Sequence, residues 1–166
     1  IATNRLFEMK DHEIEIVDVS YGKDLIGASY IPAYNEYEHL FKEGAFRIIH
    51  SDDTNTESGS GLVSQAPAYG ESDFYALKNA NIDVIADPVT LSGRFDSTFK
   101  ELNGLNVKDA DKLIMDQLEE RGNLFSRTSE MHSYPFCWRT GTPLIYKAIP
   151  TWFVNVEKIR DLSLIH

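Results

Sequence analysis

The sequence predicts an α+β domain built on a small β-barrel with flanking helices. Two observations point to this class: many short apolar runs are separated by glycine, proline and polar turns, and only about two stretches have helical periodicity. The chain has 166 residues, of which 42% are hydrophobic and 25% are charged. Because this length and composition suit one compact domain with its own core, we expect residues 1–166 to form a single domain.

Six stretches have the length and the residue types of strands. In the first of them polar and apolar residues partly alternate, as in a half-buried strand. Pro88 interrupts the third, because proline has no amide hydrogen to donate to a neighbouring strand. The predicted strands are 13–19, 45–50, 84–90, 124–128, 144–148 and 152–156.

Residues 107–120 have the clearest helical pattern in the chain. Four apolar residues recur there at the spacing of one helix face, and Gly122 follows as a terminator. A second helix is predicted over 72–81, with Ser72 as its N-cap. Residues 34–41 fit a short helix or a loop, and the polar segment 51–60 fits either a lid or a plain connector. The apolar residues of the helix predicted over 107–120 are Ala110, Leu113, Ile114 and Leu118.

Charge and hydropathy limit the classes of function. The formal net charge is −10, which is opposite in sign to the basic face that phosphate binding normally needs. No apolar run approaches the ~20 residues that span a bilayer, and the first residues have neither a signal-peptide nor a transit pattern. We therefore expect no membrane partner and a cytoplasmic location. Since the chain starts at Ile1 rather than at methionine, we also expect it to be an excised part of a longer protein.

The common catalytic and cofactor motifs are absent from the sequence. It contains no Walker loop, dinucleotide fingerprint, nucleophile elbow or catalytic triad. Cys137 is the single cysteine, which excludes an internal disulfide and a zinc site built from several cysteines. We predict neither a metal nor an organic cofactor.

The segment 59–74, GSGLVSQAPAYGESDF, combines several glycines with a proline, the two residue types that most strongly affect backbone conformation. The glycines at its start allow positive φ or the close approach of another molecule. Pro67 removes an amide donor and keeps the preceding residue extended, and Gly70 allows a sharp turn. Asp73 then falls in the first turn of the helix predicted over 72–81, at the rim of any pocket that the turn encloses.

This segment resembles the editing-domain motif of isoleucyl-tRNA synthetase, in which GTG, two apolar residues, HQAP and a Gly-x-x-Asp-aromatic run follow one another. A second similarity lies at 132–153, HSYPFCWRTGTPLIYKAIPTWF, where the inserted editing domain of that family returns to the catalytic core. A third lies at 22–32, GKDLIGASYIP, which is similar to the family's first strand. The three motifs occur in the family's order and cover most of the chain, and the second one favours the eukaryotic-type cytoplasmic enzymes.

The resemblance implies a fold, a reaction and partners. The fold is the small β-barrel-like editing domain of valyl-, isoleucyl- and leucyl-tRNA synthetases, with 149–166 running back towards the catalytic core. The reaction is post-transfer editing, the hydrolysis of valine wrongly esterified to tRNA(Ile). One methylene gives only ~1–3 kcal/mol of discrimination, so a second site has to destroy the smaller product. The partners are the 3′-terminal adenosine of the mischarged tRNA and the rest of the synthetase, and the isolated domain is expected to be a monomer.

The resemblance also implies roles for individual residues. Asp73 is the predicted catalytic-site carboxylate: it holds the cationic α-amino group of the substrate by a charge-assisted hydrogen bond, while water attacks the ester. The strand backbone before the turn holds the acyl group, and an aromatic ring and a glycine after it hold the adenosine. The predicted substrate-binding residues are Ser64, Gln65, Ala66, Tyr69, Gly70 and Ser72.

Several alternatives remain open. Asp73 also suits the macrodipole of a helix without any ligand, and Tyr69 also suits a core position packed on Phe74. Ser64 stands where the family has histidine, and the family's threonine-rich segment has no counterpart in this chain. A degenerate module that binds the aminoacyl-adenosine end of tRNA without hydrolysis is therefore one alternative. A valyl- or leucyl-type editing domain and a purely structural acidic domain are the others.

Overall fold

The computed structural model describes residues 13–57, 60–127, 129 and 131–163. In these ranges the chain forms two 3₁₀ helices, Gly22–Leu25 and Glu38–Glu43. It also forms three α-helices, which are α1 (Glu71–Asn79), α2 (Val107–Glu120) and α3 (Val156–Ser163). Predictions made for 1–12, for Gly59 and for the last three residues of the chain lie outside the described ranges.

Helix α2 has the predicted bounds because both of its ends are specified locally. At the start, the side chain of Asn106 accepts a 3.0 Å hydrogen bond from the amide of Lys108, which is the N-cap interaction. At the end, Gly122 adopts a φ of 69° and the last turn closes as a Schellman motif with bonds of 2.9 and 2.8 Å. On the predicted apolar face Ala110 is completely buried, whereas Leu113 is exposed.

Helix α1 starts one residue earlier than predicted. Gly70 is its N-cap, and Ser72 lies inside the first turn, so the prediction of Ser72 as the cap is wrong. The reason is a side-chain contact of Asp73, described below, which bends the chain into the helix from Gly70 onwards. The helix ends at Asn79, two residues before the predicted end. Asn81, just beyond the C-cap, adopts a φ of 56° and closes a second Schellman motif with bonds of 3.0 and 2.9 Å.

The described chain between the helices is largely irregular and pairs only at isolated points. No run of paired residues forms a regular strand within the described ranges, so the barrel fold stays a prediction. One predicted strand, 84–90, pairs at Val89 alone, because Pro88 has no amide to donate and the chain reverses at Gly93, where φ is 72°. The isolated antiparallel bridges are Ser29 with Arg47, Val89 with Phe95, Arg94 with Asn106, and Phe136 with Pro143.

The predicted strand 152–156 is not formed, and its last residue begins helix α3. Asn155 precedes this helix, and its side chain accepts a 3.3 Å hydrogen bond from the amide of Lys158. Asparagine is one of the preferred N-cap residues, so the sequence specifies this helix start locally, and the prediction of a strand at 152–156 is wrong. None of the helices in the described part of the chain is long and apolar enough to cross a membrane.

The core is small, and its buried residues come from one 3₁₀ helix, from α1 and α2, and from the chain next to these helices. Three aromatic rings contact Phe99 edge-on at centroid distances of 5.6, 5.9 and 6.1 Å. One of them, Tyr34, also joins α2, because its hydroxyl donates to the side chain of Gln117 at 2.8 Å. The buried apolar residues are Leu40, Ala68, Ala76, Ile82, Val89, Leu102 and Ala110.

Candidate functional site

A tight turn over residues 66–70 leads into α1 within the segment 59–74, here named the central motif. The amides of Tyr69 and Gly70 both donate to the carbonyl of Ala66, at 2.8 and 3.0 Å. The amide of Ala66 donates in turn to Oδ2 of Asp73 at 2.9 Å. Ala66 is therefore bonded through both its carbonyl and its amide. The bond to its amide turns the Asp73 carboxylate back towards the residues that precede the helix.

Gly70 leaves the space that the Asp73 carboxylate occupies. A Cβ atom at Gly70 would lie 2.6 Å from Asp73 Oδ2 and 2.9 Å from its Cγ. The backbone of Gly70 has a φ of −132°, which any residue can adopt. Glycine is therefore required here by the close approach of the carboxylate and not by backbone conformation.

Two adjoining clefts open beside this turn. The first has a volume of about 550 Å³ and is lined by Tyr69, Gly70, Glu71, Ser72, Tyr75 and Tyr146. The second has a volume of about 570 Å³ and lies between Pro67, Phe74 and Ile85 on one side and residues 146–150 on the other. Both clefts include Tyr69, Gly70 and Tyr146 in their walls, so they form one continuous surface depression.

The far wall of the depression comes from the second motif of the sequence, in residues 146–150. The amide of Ala148 donates to the carbonyl of Ala68 at 2.7 Å. Beside it, Lys147 forms an ion pair with Asp87 and donates to the carbonyl of Val89 at 2.5 Å. The structure thus brings together two motifs that are far apart in the chain.

Tyr69 is fixed by its hydroxyl. It donates to Oδ1 of Asp87 at 2.8 Å and accepts the amide of Val89 at 3.2 Å. Burial, followed by the hydrogen bond to the Asp87 carboxylate, raises the pKa of Tyr69. Partial burial raises the pKa of Asp87, but the hydrogen bonds from Lys147 and Tyr69 outweigh it and hold that pKa below its ordinary value. At neutral pH the phenol therefore stays protonated and the carboxylate ionised.

The structure gathers part of the predicted site around the depression. Tyr69, Gly70 and Ser72 line the first cleft, and Asp73 lies directly behind Gly70. The other three predicted residues precede the turn. Of these, Ser64 is exposed, Ala66 holds Asp73 through its amide, and the buried Oε1 of Gln65 has no hydrogen-bond partner among the described residues. The ring of Phe74 contacts Tyr75 at 5.6 Å, edge-on.

Several residues that line this site had no predicted role in it, among them Tyr75, Asp87, Tyr146 and Lys147. One of them had a visible signal, because Lys147 is the only basic residue between Arg139 and Lys158. Within the described ranges no group of three or more histidine, cysteine, aspartate or glutamate side chains is arranged to hold a metal ion.

The chain has close relatives among curated proteins. It is 45% identical over 156 residues to an isoleucine–tRNA ligase of Bdellovibrio bacteriovorus, a match that covers 94% of this chain and 15% of the relative. It is 43% identical over 154 residues to a cytoplasmic isoleucine–tRNA ligase of Saccharomyces cerevisiae, covering 90% of the chain and 14% of the relative. A cytoplasmic isoleucine–tRNA ligase of Caenorhabditis elegans is 40% identical over 165 residues, 96% of the chain and 14% of the relative. A scan against protein-family models gives no match.

These matches place the chain among the aminoacyl-tRNA synthetases. Within that class it belongs to the isoleucine–tRNA ligases, as one segment that spans 14–15% of the length of these three relatives. The family predicted from the three motifs is thereby confirmed. Bacterial and eukaryotic relatives match at similar identity, so the narrower eukaryotic type stays a prediction.

Proposed function

We propose that this chain is the post-transfer editing domain of an isoleucine–tRNA ligase and hydrolyses valine that has been esterified to tRNA(Ile). The observation that carries the proposal is the depression lined by the turn 66–73 and the segment 146–150, because most of its lining residues belong to the two motifs that resemble the editing domain. It offers an aromatic ring, a glycine backbone and a nearby carboxylate. These groups suit a reaction in which the enzyme holds the ester while water attacks it.

In this proposal Asp73 anchors the α-amino group of the substrate. One oxygen of its carboxylate accepts the amide of Ala66 at 2.9 Å, which fixes the orientation of the group. The other oxygen binds the substrate ammonium by a charge-assisted hydrogen bond. The carboxylate lies in the first turn of α1, next to the positive end of the helix dipole. Asp73 therefore orients the ester, and the nucleophile is a water molecule.

The nucleoside end of the substrate lies against Tyr69 and Gly70. A base stacked on an aromatic ring gains roughly 1–3 kcal/mol, and the absence of a side chain at Gly70 lets the ribose approach the backbone. The acyl group extends towards Ser64, Gln65 and Ala66. A ribose hydroxyl of the tRNA assists the attacking water, and no metal or organic cofactor takes part.

The rest of the synthetase is the proposed protein partner. Three large aromatic side chains near the end of the chain are strongly exposed, at 86% for Trp138, 100% for Trp152 and 89% for Phe153. Exposed apolar surface of this kind marks interaction sites. We propose that the other domains of the synthetase cover it, that they also supply the contacts to the tRNA body, and that the protein works in the cytoplasm.

The test compares deacylation of valine-charged and isoleucine-charged tRNA(Ile) by the full-length protein and its Asp73→Ala variant. We expect the wild type to release valine faster than isoleucine. In the variant the release of valine should slow by about tenfold or more, towards the rate of isoleucine release, since a charge-assisted contact to the substrate is removed.

The matched control is Asp109→Ala. Asp109 occupies the same third position in α2 that Asp73 occupies in α1, so it reproduces the loss of an acid from a first helical turn. Its selectivity should equal that of the wild type. Release of both esters at the spontaneous rate by the wild type would rule out editing by this protein.

The second candidate is a module that binds the aminoacyl-adenosine end without hydrolysis. It is favoured by Ser64, which is exposed and stands where the family has histidine, and by the engagement of Asp73 in a structural hydrogen bond. Such a module would slow the spontaneous loss of valine from the tRNA instead of accelerating it. The deacylation assay therefore separates the two candidates by the sign of the effect.

A further inference from the structure

Lys147 is the most tightly held cation beside the depression. Its ammonium group forms an ion pair with Asp87 and donates to the carbonyl of Val89 at 2.5 Å, and its side chain is only 12% exposed. The ammonium nitrogen also lies 5.6 Å from the centroid of the Tyr69 ring. Its two acceptors, the Asp87 carboxylate and the Val89 carbonyl, restrain the ammonium group from two sides, although the Asp87 side chain itself is 35% exposed.

The contacts of Lys147 close a cycle with Tyr69. Asp87 accepts both from Lys147 and from the Tyr69 hydroxyl, at 2.8 Å for the hydroxyl. The same hydroxyl accepts the amide of Val89 at 3.2 Å, and the carbonyl of Val89 accepts from Lys147. Each group of the cycle has a partner at both of its neighbours in the cycle, which restrains their relative positions.

This cycle fixes the ring of Tyr69 relative to the far wall of the depression. Tyr69 belongs to the turn before α1, and Asp87 and Val89 belong to the segment after it. Lys147 lies 60 residues beyond Asp87 in the second motif, 132–153, here named the return motif. Three separate parts of the chain therefore meet at one hydroxyl group and one ammonium group. The ring they hold is the surface on which the proposed function places the base of the substrate.

We propose that Lys147 is a positioning residue for the nucleoside end of the substrate: acting through Asp87 and the Tyr69 hydroxyl, it holds the Tyr69 ring in the orientation that the adenine base stacks on. The inference rests on the proposed editing function and adds a residue on the return motif to it. Lys147 does not touch the reacting ester, so its role is in binding and not in the chemical step.

The first experiment measures steady-state deacylation of valine-charged tRNA(Ile) by the full-length protein carrying Lys147→Met, Asp87→Asn or both. Each single variant should raise KM by about tenfold and leave kcat within about twofold, because the stacking surface is loosened while the ester anchor is kept. Since both residues act through one hydroxyl, the double variant should be no worse than either single variant.

The matched control is Lys78→Met. Lys78 also forms an ion pair with an aspartate, Asp83, and its nitrogen also lies 5.6 Å from an aromatic centroid, that of Phe74. The two side chains of this pair are 46% and 81% exposed, so it is the solvated equivalent of the Lys147–Asp87 pair. Its KM should stay within about twofold of the wild type, as expected for a surface pair.

Salt dependence separates positioning from direct binding of the tRNA backbone. A lysine that contacts a phosphate contributes about one unit to the slope of log KM against log salt. If Lys147 positions Tyr69, the slope of Lys147→Met equals that of the wild type. A slope smaller by about one, or additive effects in the double variant, would overturn the proposal in favour of a phosphate contact. An unchanged KM, or a loss confined to kcat, would overturn it outright.

The second measurement is calorimetric binding of a non-hydrolysable probe, valyl-adenosine with an amide in place of the ester. If the wild type binds the probe but does not cleave the ester, the editing proposal fails, and about tenfold weaker probe binding by Lys147→Met still supports the positioning role. If the wild type neither binds the probe nor cleaves the ester, both proposals fail.

Discussion

Helices α1 and α2 end in the same way but begin differently. Both close on a Schellman motif, with Asn81 or Gly122 in the left-handed region. At the start of α2 the side chain of Asn106 caps the helix. At the start of α1, Gly70 provides no side-chain cap, and the third residue, Asp73, bonds backwards to the amide of Ala66.

The difference shows what each helix start does in the molecule. The start of α2 is an ordinary structural cap, in which a side chain satisfies an amide of its own helix. The start of α1 uses its carboxylate to close the turn that lines the depression, and it has glycine where a cap would be expected. Variants of these two helix starts and two helix ends should therefore differ in the size of their effects.

The largest effect is expected from Gly70→Ala. The new Cβ would overlap Asp73 Oδ2, at 2.6 Å, so the carboxylate has to leave the Ala66 amide. Displacing an anchoring group by about 1 Å can cost roughly 100-fold in rate, so we expect valine deacylation by the full-length protein to fall by about 10–100-fold. Hydrogen exchange followed by mass spectrometry should show faster exchange in the peptide that contains Ala66.

Gly22→Ala is the control for this variant. Gly22 has open space where a Cβ would lie, and its φ is outside the left-handed region. Its deacylation rate and its exchange pattern should match those of the wild type. Normal deacylation by Gly70→Ala would show that the contact between Asp73 and Ala66 has no part in the activity.

An intermediate effect is expected from Asn106→Ala. Loss of the cap should lower the free energy of local opening of α2 by about 1 kcal/mol, because an amide loses its partner. Hydrogen exchange of the α2 peptides measures this free energy. Asn106→Asp, which keeps an acceptor, should restore the protection, and selectivity between the two esters should not change in either variant. A change in selectivity would mean that α2 also shapes the site.

The smallest effect is expected from Asn81→Gly at the end of α1. Asn81 adopts a φ of 56°, which costs a residue with a side chain more than it costs glycine. The replacement should raise the free energy of local opening of α1 by about 0.5 kcal/mol. Gly122→Asn, at the end of α2, should lower the free energy of local opening of α2 by a similar amount. Hydrogen exchange of the two helix ends measures both changes. Equal exchange in all three proteins would contradict the conformational argument.

The same comparison explains how much of the molecule the sequence could predict. The bounds of α2 were predicted correctly because its apolar periodicity and its terminal glycine are both local signals; its N-cap, Asn106, was not predicted. The cap of α1 was predicted wrongly, because Ser72 has the right chemistry but Asp73 makes a contact seven residues back. The six strands depend on pairing between distant segments, and no local pattern specifies whether such pairing forms.

Only one wall of the candidate site could be predicted from the sequence. Tyr69, Gly70 and Ser72 belong to a continuous motif, so their proximity follows from the chain itself. Asp87 and Lys147 are 60 residues apart, and nothing in the sequence pairs them. Asp87 stands beside a proline, and Lys147 stands in a short apolar run. Such pairs come from tertiary structure.

The bond between the amide of Ala148 and the carbonyl of Ala68 has a consequence for the order of folding. During synthesis the turn 66–73 leaves the ribosome long before residues 146–150 do, so the motif exists for a time without its far wall. Closing so long a loop carries an entropic cost that local structure does not. A nascent chain that ends near residue 140 therefore contains α1, α2 and every residue of the central motif, but it has only one wall of the site.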